Sequence, residues 1–378
     1  MNVVIIGCGV VGAAIAYELS LVKGLKITVC DRQPPAQAST GAALGVLMGV
    51  ISQKIKGKAW QMRQTSIQRY ETLIPELEAL TGRKIPFNRQ GILMLLSDSS
   101  LEGMSAWEKL VEVRHSQGWN LEIWDTAKLQ NICPQVDVYD GLHLREKVTG
   151  AVYSPQDRQL DPTALTLALI EAAQQNGVTF KFGVTVLDAQ TSPLDSSPQF
   201  CDRLETTEGK ITADWFVVAA GLGSTPLTAK LNQIIDIRPV LGQALQMRVG
   251  HPLGNPDFQP AITGNDVHIV PVGGGDYWIG ATVEFPSNGD EIPPNQELLE
   301  SVREQAIAFC PELATAKIIR TWSGLRPRPE GRPAPVIGKL PGFSNILLAT
   351  GHYRNGVLLA PATAYAIREM IISQGLGD

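Results

Sequence analysis

The stretch from residue 1 to residue 31 constrains the fold of this chain more than any other. Residues 3–6 (VVII) form a short apolar, β-branched run that is typical of a buried strand. Residues 7–12 (GCGVVG) match G-x-G-x-x-G, and good helix formers come directly after them. A second apolar run at residues 25–30 ends on Asp31. A strand, a glycine turn, a helix and a second strand closed by an acid predict the first half of a Rossmann-like unit.

Each part of this pattern has a physical reason to bind the adenine dinucleotide part of a cofactor. Gly7 permits the tight turn from strand to helix, Gly9 lets the backbone approach a pyrophosphate, and Gly12 lets helix and strand pack closely. The free amides and the dipole at the helix N-terminus favour an anionic phosphate. Asp31 is placed to accept hydrogen bonds from a ribose diol. The pattern leaves open whether the reactive half of the cofactor is nicotinamide or flavin.

Composition limits the class of protein and its partners. At 378 residues the chain exceeds the usual size of a single core, so two domains are expected. The formal net charge of −5 argues against nucleic acid or a membrane surface as a partner. No uninterrupted apolar run reaches the roughly 18 residues that span a bilayer. The five cysteines are scattered and the five histidines lack a metal-ligand spacing, so we expect no metal and buried, reduced thiols in a cytoplasmic protein.

The alternation of predicted strands and helices is interrupted in the first half of the chain and resumes near residue 150. In the resumed part, Asp161 followed by Pro162 is a typical helix start. Residues 239–282 instead have the pattern of an antiparallel sheet. We therefore expect an α/β protein with a discontinuous Rossmann-like domain and an α+β substrate domain built on a mainly antiparallel sheet. The predicted ranges are 1–85, 148–228 and 320–378 for the first domain, and 86–147 and 229–319 for the second.

Two further glycine-rich stretches bear on the cofactor. Residues 350–357 (TGHYRNGV) again combine a strand end, a turn and a helix start. A helix N-terminus there would stabilise the anionic reduced ring of a flavin, which a nicotinamide enzyme does not require. The small residues at 39–49 allow close backbone approach either to a cofactor or to a packed neighbour, and both readings stay open.

Taken together, these stretches resemble the D-amino-acid oxidase superfamily of FAD enzymes, specifically the glycine oxidase and sarcosine oxidase branch. The resemblance covers the whole chain and rests on the fingerprint and on residues 39–46, 217–221, 322–327 (WSGLRP) and 351–356 (GHYRNG). It implies that the discontinuous domain binds FAD and that the antiparallel sheet covers the flavin. Sarcosine oxidases attach their flavin through a cysteine in the C-terminal third. No cysteine lies near Arg326 and Cys310 falls too early, so non-covalent FAD is expected.

By position, the resemblance assigns FAD contacts to two groups of residues. The fingerprint and the segments that follow it supply Gly7, Gly9, Val10, Val11, Gly12, Asp31, Arg32, Ser39, Thr40, Leu44, Gly45, Val46, Val186 and Gly221. The C-terminal turn and the helix after it supply Gly351, His352, Tyr353, Arg354, Asn355, Gly356, Val357 and Leu358.

The resemblance also implies the chemistry, which is the oxidation of a small amino acid or secondary amine. Hydride passes from the α-carbon to flavin N5, the imine hydrolyses, and O2 reoxidises the flavin to give H2O2. A substrate whose amine arrives neutral needs no strong base, so the protein mainly positions it. Arginine binds a carboxylate in bidentate geometry, and the resemblance places Arg326 and Arg354 on the substrate side. Arg354 alone is equally compatible with a contact to the flavin or to a carbonyl.

His268 lies in a predicted strand at residues 267–271, where glycine oxidases often carry a tyrosine that contacts the substrate. A histidine there can hydrogen-bond a carboxylate and titrate near neutral pH, although a strand histidine that only packs within the fold fits equally well. We predict that His268 helps to bind and position the substrate. The difference from tyrosine leaves the identity of the substrate open.

Two other functions are compatible with the sequence. One is an FAD-dependent dehydrogenase of a 2-hydroxy acid or proline-like amine that passes electrons to a quinone or a carrier. The other is a flavin-binding assembly factor without turnover, although such a protein would not need Arg326 and Arg354 to hold a carboxylate. The sequence leaves homo-oligomerisation open.

Overall fold

The computed structural model describes residues 1–97, 103–138, 147–192, 198–286 and 291–375. In chain order the strands are β1 Asn2–Ile6, β2 Lys26–Asp31, β3 Val46–Leu47, β4 Phe87–Asn88, β5 Ile92–Ser97, β6 Glu122–Asp125, β7 Val148–Ser154, β8 Arg158–Leu160, β9 Thr179–Phe182, β10 Val186–Thr191, β11 Cys201–Thr206, β12 Gly209–Thr212, β13 Trp215–Val218, β14 Ile237–Arg248, β15 Ala261–Gly264, β16 Val267–Gly273, β17 Asp276–Gly280, β18 Lys317–Pro329, β19 Val336–Lys339 and β20 Ile346–Thr350. The α-helices are α1 Val10–Ser20, α2 Ser39–Ala42, α3 Gly57–Thr81, α4 Met104–Ser116, α5 Thr126–Ile132, α6 Pro162–Gln175, α7 Ser224–Lys230, α8 Gln296–Phe309 and α9 Gly356–Gly375.

The first large sheet is the Rossmann-like sheet that the sequence predicts. Its six strands lie in the order β19–β20–β13–β1–β2–β9, and all neighbours pair in parallel except β19 and β20. Every residue of β13 and β20 is buried, as expected for strands covered on both faces. Helix α6 begins as predicted, because the Asp161 carboxylate accepts hydrogen bonds from the backbone N–H groups of Thr163 and Ala164. Helix α1 packs between α6 and α9 beside this sheet.

The second large sheet has eight strands in the order β18–β14–β17–β16–β15–β5–β7–β6. All neighbours are antiparallel except β15 and β5, which confirms the predicted mainly antiparallel sheet. Strands β7 and β18 belong to this sheet although they follow or span the predicted domain boundaries at 148 and 320. The division of the chain into domains stays a prediction, and its ranges include residues 98–102, 139–146, 193–197, 287–290 and 376–378, which lie outside the described residues.

Helix α2 and the residues after it approach the eight-stranded sheet at two glycines of that sheet. A Cβ added at Gly324 would lie 2.3 Å from Ala42 Cβ, and one at Gly280 would lie 3.2 Å from Leu44 Cδ1. The Trp322 indole Nε1 donates to the Ala42 carbonyl at 3.1 Å, which fixes the register of the contact. The small residues at 39–49 therefore serve, at least in part, to pack the segment after α2 against β17 and β18.

Two fully buried charges hold the segment that follows β3. The Asp157 carboxylate accepts hydrogen bonds from three successive backbone N–H groups, residues 49–51, at 2.7 to 2.8 Å. The Arg114 guanidinium lies over the Trp60 ring at 3.6 Å and donates to three carbonyl oxygens, those of Val50, Ser52 and Lys54. Burial raises the pKa of Asp157 and lowers that of Arg114 to about 10. Both charged side chains thus hold the backbone of residues 49–54 in place.

Helix α9 contains a proline whose effect is compensated by side chains of α3. Pro361 has no N–H to offer to the Val357 carbonyl one turn earlier. The Tyr70 hydroxyl donates to that carbonyl instead, at 2.5 Å. The backbone N–H of Ala362 donates to Ser66 Oγ at 3.2 Å. The start of α9 is therefore completed by hydrogen bonds from a helix far away in sequence.

The same C-terminal helix is long and apolar enough to span a membrane. The segment Tyr353–Ser373 has 21 residues with a mean hydropathy of 1.2, and 56% of its most apolar window is buried inside the protein. The argument from run length did not single it out, because polar residues interrupt its apolar positions. Its contacts with α1 and α3 place it in the largest core.

The cysteines lie in the interior of the protein. All five thiols, Cys8, Cys30, Cys133, Cys201 and Cys310, are buried and free. Burial raises the pKa of each of them. The burial that the sequence analysis expects is confirmed.

The role of Tyr70 predicts a specific loss of stability. Tyr70→Phe keeps the ring but leaves the buried Val357 carbonyl without its donor, so the free energy of unfolding should fall by about 1–3 kcal/mol. Chemical denaturation of the two proteins measures this difference. Tyr365→Phe on α9 is the control, because within the described residues the Tyr365 hydroxyl makes no hydrogen bond; an equal loss in both variants would contradict this role.

Candidate cofactor and substrate site

In the fingerprint, close packing leaves no room for a side chain at two of the glycines, and the third has free space beside it. Gly7 has φ +103°, and a Cβ there would lie 2.5 Å from the Ala219 carbonyl oxygen. A Cβ at Gly12 would lie 2.0 Å from the Gly7 carbonyl oxygen. A Cβ at Gly9 would meet only Thr40 Oγ1, at 3.1 Å, within 4 Å. The backbone at Gly9 is therefore accessible to a ligand, as a close approach to pyrophosphate requires.

The polar groups around this turn fit a dinucleotide. The N-cap residue of α1, Gly9, has no side chain to cap the helix, and of the first N–H groups that of Val10 donates to Thr40 Oγ1 at 3.1 Å. The Asp31 carboxylate accepts hydrogen bonds from the N–H groups of Cys8 at 2.6 Å and of Gln33 at 2.9 Å. A helix start with free amides would hold a pyrophosphate, and a carboxylate fixed beside it would accept from a ribose. The described residues contain no group of His, Cys, Asp or Glu that could hold a metal ion.

Several other predicted cofactor residues lie around this turn without a contact that assigns their role. Val186 opens β10, and two residues before it Val184 N donates to the Asp31 carbonyl at 3.0 Å. Arg32 is exposed, and Gly221 has φ +54° at the turn after β13. Ser39 Oγ donates to the Leu325 carbonyl at 2.6 Å, while Gly45 packs on Leu160 and Val46 lies in β3. Their contacts with FAD stay predictions.

The C-terminal turn is shaped by two residues in the left-handed region. Gly351 has φ +65° and Tyr353 has φ +52°, and α9 begins at Gly356 directly after a short turn that contains Asn355. Val357 and Leu358 are buried in the first turn of α9. Sequence alone does not predict a left-handed tyrosine, which is rare for a bulky residue.

The imidazole of His352 is buried against helix α9, which begins four residues later. It is 4% exposed, and its Nε2 lies 2.9 Å from Thr363 Oγ1. Burial lowers the pKa of His352 to about 4, so the ring is neutral at neutral pH. The side chain therefore supports the turn from inside, and a contact of this residue with FAD stays a prediction.

Arg326 is held by main-chain carbonyls. Its Nη1 donates to the carbonyl oxygens of Leu241 and Thr282, each at 3.0 Å. The guanidinium lies over Gly242, where a Cβ would come within 2.3 Å of Nη2. Within the described residues, Nε and Nη2 make no hydrogen bond, so one edge of the fork remains for a ligand. Burial and the charge of Arg354 lower the pKa of Arg326.

Glu284 supports this arrangement, and the sequence analysis missed it. Its Oε1 accepts from the Thr282 hydroxyl at 2.5 Å and from Gln243 Nε2 at 2.8 Å, and its Oε2 accepts from the Asn295 N–H at 2.9 Å. The buried carboxylate thus fixes the segment whose Thr282 carbonyl holds Arg326. An acid inside the apolar run at residues 281–285 is the signal that points to it.

Arg354, Asp266 and His268 lie together beside Arg326. Arg354 Nη1 and Nη2 lie 3.2 and 3.4 Å from Asp266 Oδ1 and Oδ2. His268 is half-buried, and its Nδ1 is buried without a hydrogen-bond partner among the described residues. Sequence reasoning also missed Asp266, although the Asn-Asp pair between two apolar runs is a typical hairpin turn.

The prediction that His268 could titrate near neutral pH is wrong. Burial and the positive charge of Arg354 lower its pKa to about 4, with Arg326 acting in the same direction and Asp266 opposing them. A cation placed beside two arginines in a partly buried site is unfavourable, so the imidazole is neutral. Two guanidinium groups and a neutral imidazole would suit a small anion such as a carboxylate, and the role of these residues in binding substrate stays a prediction.

Comparison with known proteins gives one family match and several similar chains. The family described as FAD dependent oxidoreductase (DAO) matches residues 2–370. The bifunctional protein ThiO/ThiG of Trichormus variabilis is 31% identical over 378 residues, which cover 99% of this chain and 53% of that protein. The chain therefore spans about half the length of this protein and of two further ThiO/ThiG proteins that it matches.

Glycine oxidases match over nearly their whole length. The glycine oxidase of Geobacillus kaustophilus is 27% identical over 371 residues, covering 98% of this chain and 92% of that enzyme. The crystal structure of glycine oxidase from the same organism superposes with a TM-score of 0.85 at 25% identity, covering 100% of this chain and 96% of that one. The predicted fold and non-covalent FAD are thereby confirmed.

The two kinds of fingerprint glycine predict two different mutant phenotypes. Gly9→Ala adds a methyl group on the open face, so the protein should fold but retain several-fold less flavin. Gly7→Ala places Cβ against the Ala219 carbonyl at a left-handed φ, so the protein should be strongly destabilised. The visible absorbance per protein and the midpoint of thermal unfolding measure both effects. Full flavin content in Gly9→Ala would contradict the assignment.

The buried imidazole of His352 predicts a loss of stability in acid. The unfolded chain protonates this histidine near pH 6.5, whereas the folded chain does so only near pH 4. Stability is therefore present above about pH 6.5 and is lost as the pH falls toward 4, by up to about 1.4 kcal/mol per pH unit.

Denaturation at several pH values between 4 and 7 tests this contribution. His352→Gln should reduce the slope of unfolding free energy against pH by the contribution of about one bound proton. Thr363→Val, which keeps the imidazole buried, should retain that slope. A slope that is the same in wild type and His352→Gln would show that the group does not contribute.

Proposed function

The chain belongs to the DAO family of FAD-dependent oxidoreductases, and we propose that it oxidises a small amino acid or secondary amine of the glycine or sarcosine type. One observation carries the choice of substrate class. Arg326 is anchored through Nη1 by two neutral carbonyls, which leaves its charge and its Nε–Nη2 edge for a ligand. A planar fork with a free edge suits a carboxylate, which glycine and its N-substituted relatives carry.

The residues of this chain act by binding and orientation. When bound, FAD would take a hydride from the substrate α-carbon and pass the electrons to O2, giving H2O2. Arg326 holds the carboxylate, and the rigid contacts of Leu241 and Thr282 fix the direction in which the substrate points. Neutral His268 offers a hydrogen bond without adding charge. Among the described residues, the acids that act on Arg326 are Asp266 and Glu284, and both are already paired or hydrogen-bonded, so neither is placed as a strong base. This suits a substrate whose amine enters neutral and whose imine product hydrolyses in water.

Similarity to named enzymes supports the same reading. Proteins called glycine oxidase match this chain over more than nine-tenths of their own length. The fingerprint, the C-terminal turn and Arg326 all lie within residues 2–370, which match the family. Glycine is therefore the first substrate to test, followed by sarcosine and small D-amino acids.

A substrate panel tests the proposal directly. Oxygen consumption and peroxide formation are measured with glycine, sarcosine, D-alanine and D-proline. Arg326→Gln should lower kcat/KM by roughly 100-fold, because the carboxylate loses a charged, bidentate partner. Arg328→Gln, two residues along the same strand and paired with Glu330, is the matched control and should stay within twofold.

The alternatives give different results in the same experiment. Fast reduction of a dye with little peroxide would favour a dehydrogenase that uses another acceptor. Failure of every substrate to bleach the flavin under anaerobic conditions would contradict the proposal and favour a non-catalytic flavoprotein. An equal loss of activity in Arg326→Gln and Arg328→Gln would remove the special role of Arg326.

A further inference from the structure

Asp266 is fixed at the edge of the substrate site by a tight hairpin turn. It follows Asn265 in the turn between β15 and β16, and φ is +63° at Asp266 and +47° at Asn265. The pairing of Gly264 with Val267 closes this two-residue connection. Asn and Asp are the non-glycine residues that best tolerate the left-handed region. The turn therefore holds the Asp266 carboxylate in a defined place two residues before His268.

From this turn Asp266 reaches across to the other wall of the site. Both of its carboxylate oxygens lie opposite the Arg354 guanidinium, at 3.2 and 3.4 Å. The side chains of Asp266 and Arg354 are 72% and 37% exposed, so the pair stands at the solvent side of the site. An exposed pair of this kind contributes little to stability. Its main effect is to occupy the fork of Arg354.

A count of charges shows what the pair does to the site. Arg326 and Arg354 contribute two positive charges and Asp266 one negative charge, while His268 is neutral near pH 7. The Glu284 carboxylate also acts on Arg326, but it is hydrogen-bonded by Thr282, Gln243 and Asn295. One substrate carboxylate on Arg326 therefore leaves both guanidinium groups paired with an anion. A second carboxylate would find Arg354 already occupied and would stand close to the Asp266 carboxylate.

We propose that Asp266 is a specificity-determining residue that limits the site to substrates with a single carboxylate. It does so by occupying Arg354 and by repelling a second carboxylate. The inference rests on the proposed function for the nature of the substrate, but the site's preference for one carboxylate is testable without turnover. The class that it disfavours includes iminodiacetate and D-aspartate.

Ligand binding to the holoenzyme is the direct test. Acetate and malonate, which differ by one carboxylate, are titrated against the flavin absorbance of wild type and Asp266→Asn. Asparagine keeps the size of the side chain and tolerates the turn, so the variant should fold. The dissociation constant for malonate should fall about fivefold to tenfold and that for acetate by twofold or less. The gain for malonate should shrink at high salt, because the pair is exposed.

Two further variants separate the ion pair from a general change in charge. Asp257→Asn removes another exposed acid, in the loop between β14 and β15, and should leave both dissociation constants unchanged. In an Arg354→Gln background, Asp266→Asn should no longer favour malonate. Equal tightening of acetate and malonate in Asp266→Asn, or the same gain in Asp257→Asn, would overturn the proposal.

Turnover distinguishes this proposal from the proposed function. N-ethylglycine and iminodiacetate are matched secondary amines, in which a methyl group of the first is replaced by a carboxylate in the second. Asp266→Asn should raise kcat/KM for iminodiacetate relative to kcat/KM for N-ethylglycine. If no amine is oxidised but malonate binds more tightly to the variant, the function fails and the role of Asp266 stands. If amines are oxidised but neither the kcat/KM ratio nor the malonate affinity changes, the role of Asp266 fails and the function stands.

Discussion

The close approach of residues 42–44 to the eight-stranded sheet is the contact on which the site depends. It exists because Gly280 and Gly324 present no side chain there, and a methyl group on Gly324 would overlap Ala42 Cβ. Overpacking of this kind costs about 1–3 kcal/mol, and here it would also push residues 42–44 away from the eight-stranded sheet. Thr40, at one end of the segment, hydrogen-bonds the fingerprint, and Arg326 follows two residues after Gly324. One contact thus links the position of the cofactor fingerprint to that of Arg326, the arginine proposed to bind a carboxylate.

Buried charges in this protein are mostly satisfied by backbone and not by opposite charges. Asp157 is held by three N–H groups, Arg114 by three carbonyls and Arg326 by two carbonyls. A carbonyl fixes the position of a guanidinium without cancelling its charge. For Arg114 this fixes the segment after β3. For Arg326 it leaves a partly desolvated positive charge, which would favour an anion at the free edge of the guanidinium.

The sequence predicts best what is encoded by neighbouring residues. The fingerprint, the Asp161 cap of α6 and the two kinds of sheet follow from local patterns, and the structure has all of them. Asp266 and Glu284 were missed because their roles depend on partners that only the folded chain brings together; Asp266 lies 88 positions from Arg354. The pKa of His268 was predicted wrongly because burial and the nearness of two arginines are properties of the fold. Arg326 was found through a family motif, but its carbonyl anchors were not visible in the sequence.

The compensated proline of α9 has a consequence for how the protein folds. The Tyr70 hydroxyl and the Val357 carbonyl are 287 positions apart, and Ser66 and Ala362 are 296 apart. Contacts of such sequence separation close late, because the entropy of a long loop must first be overcome. The turn at residues 351–355 is continuous with α9, so it should become rigid only after α3 has docked. The flavin side of the site would then be among the last parts of the chain to form, and a ligand that binds there would report on completed folding.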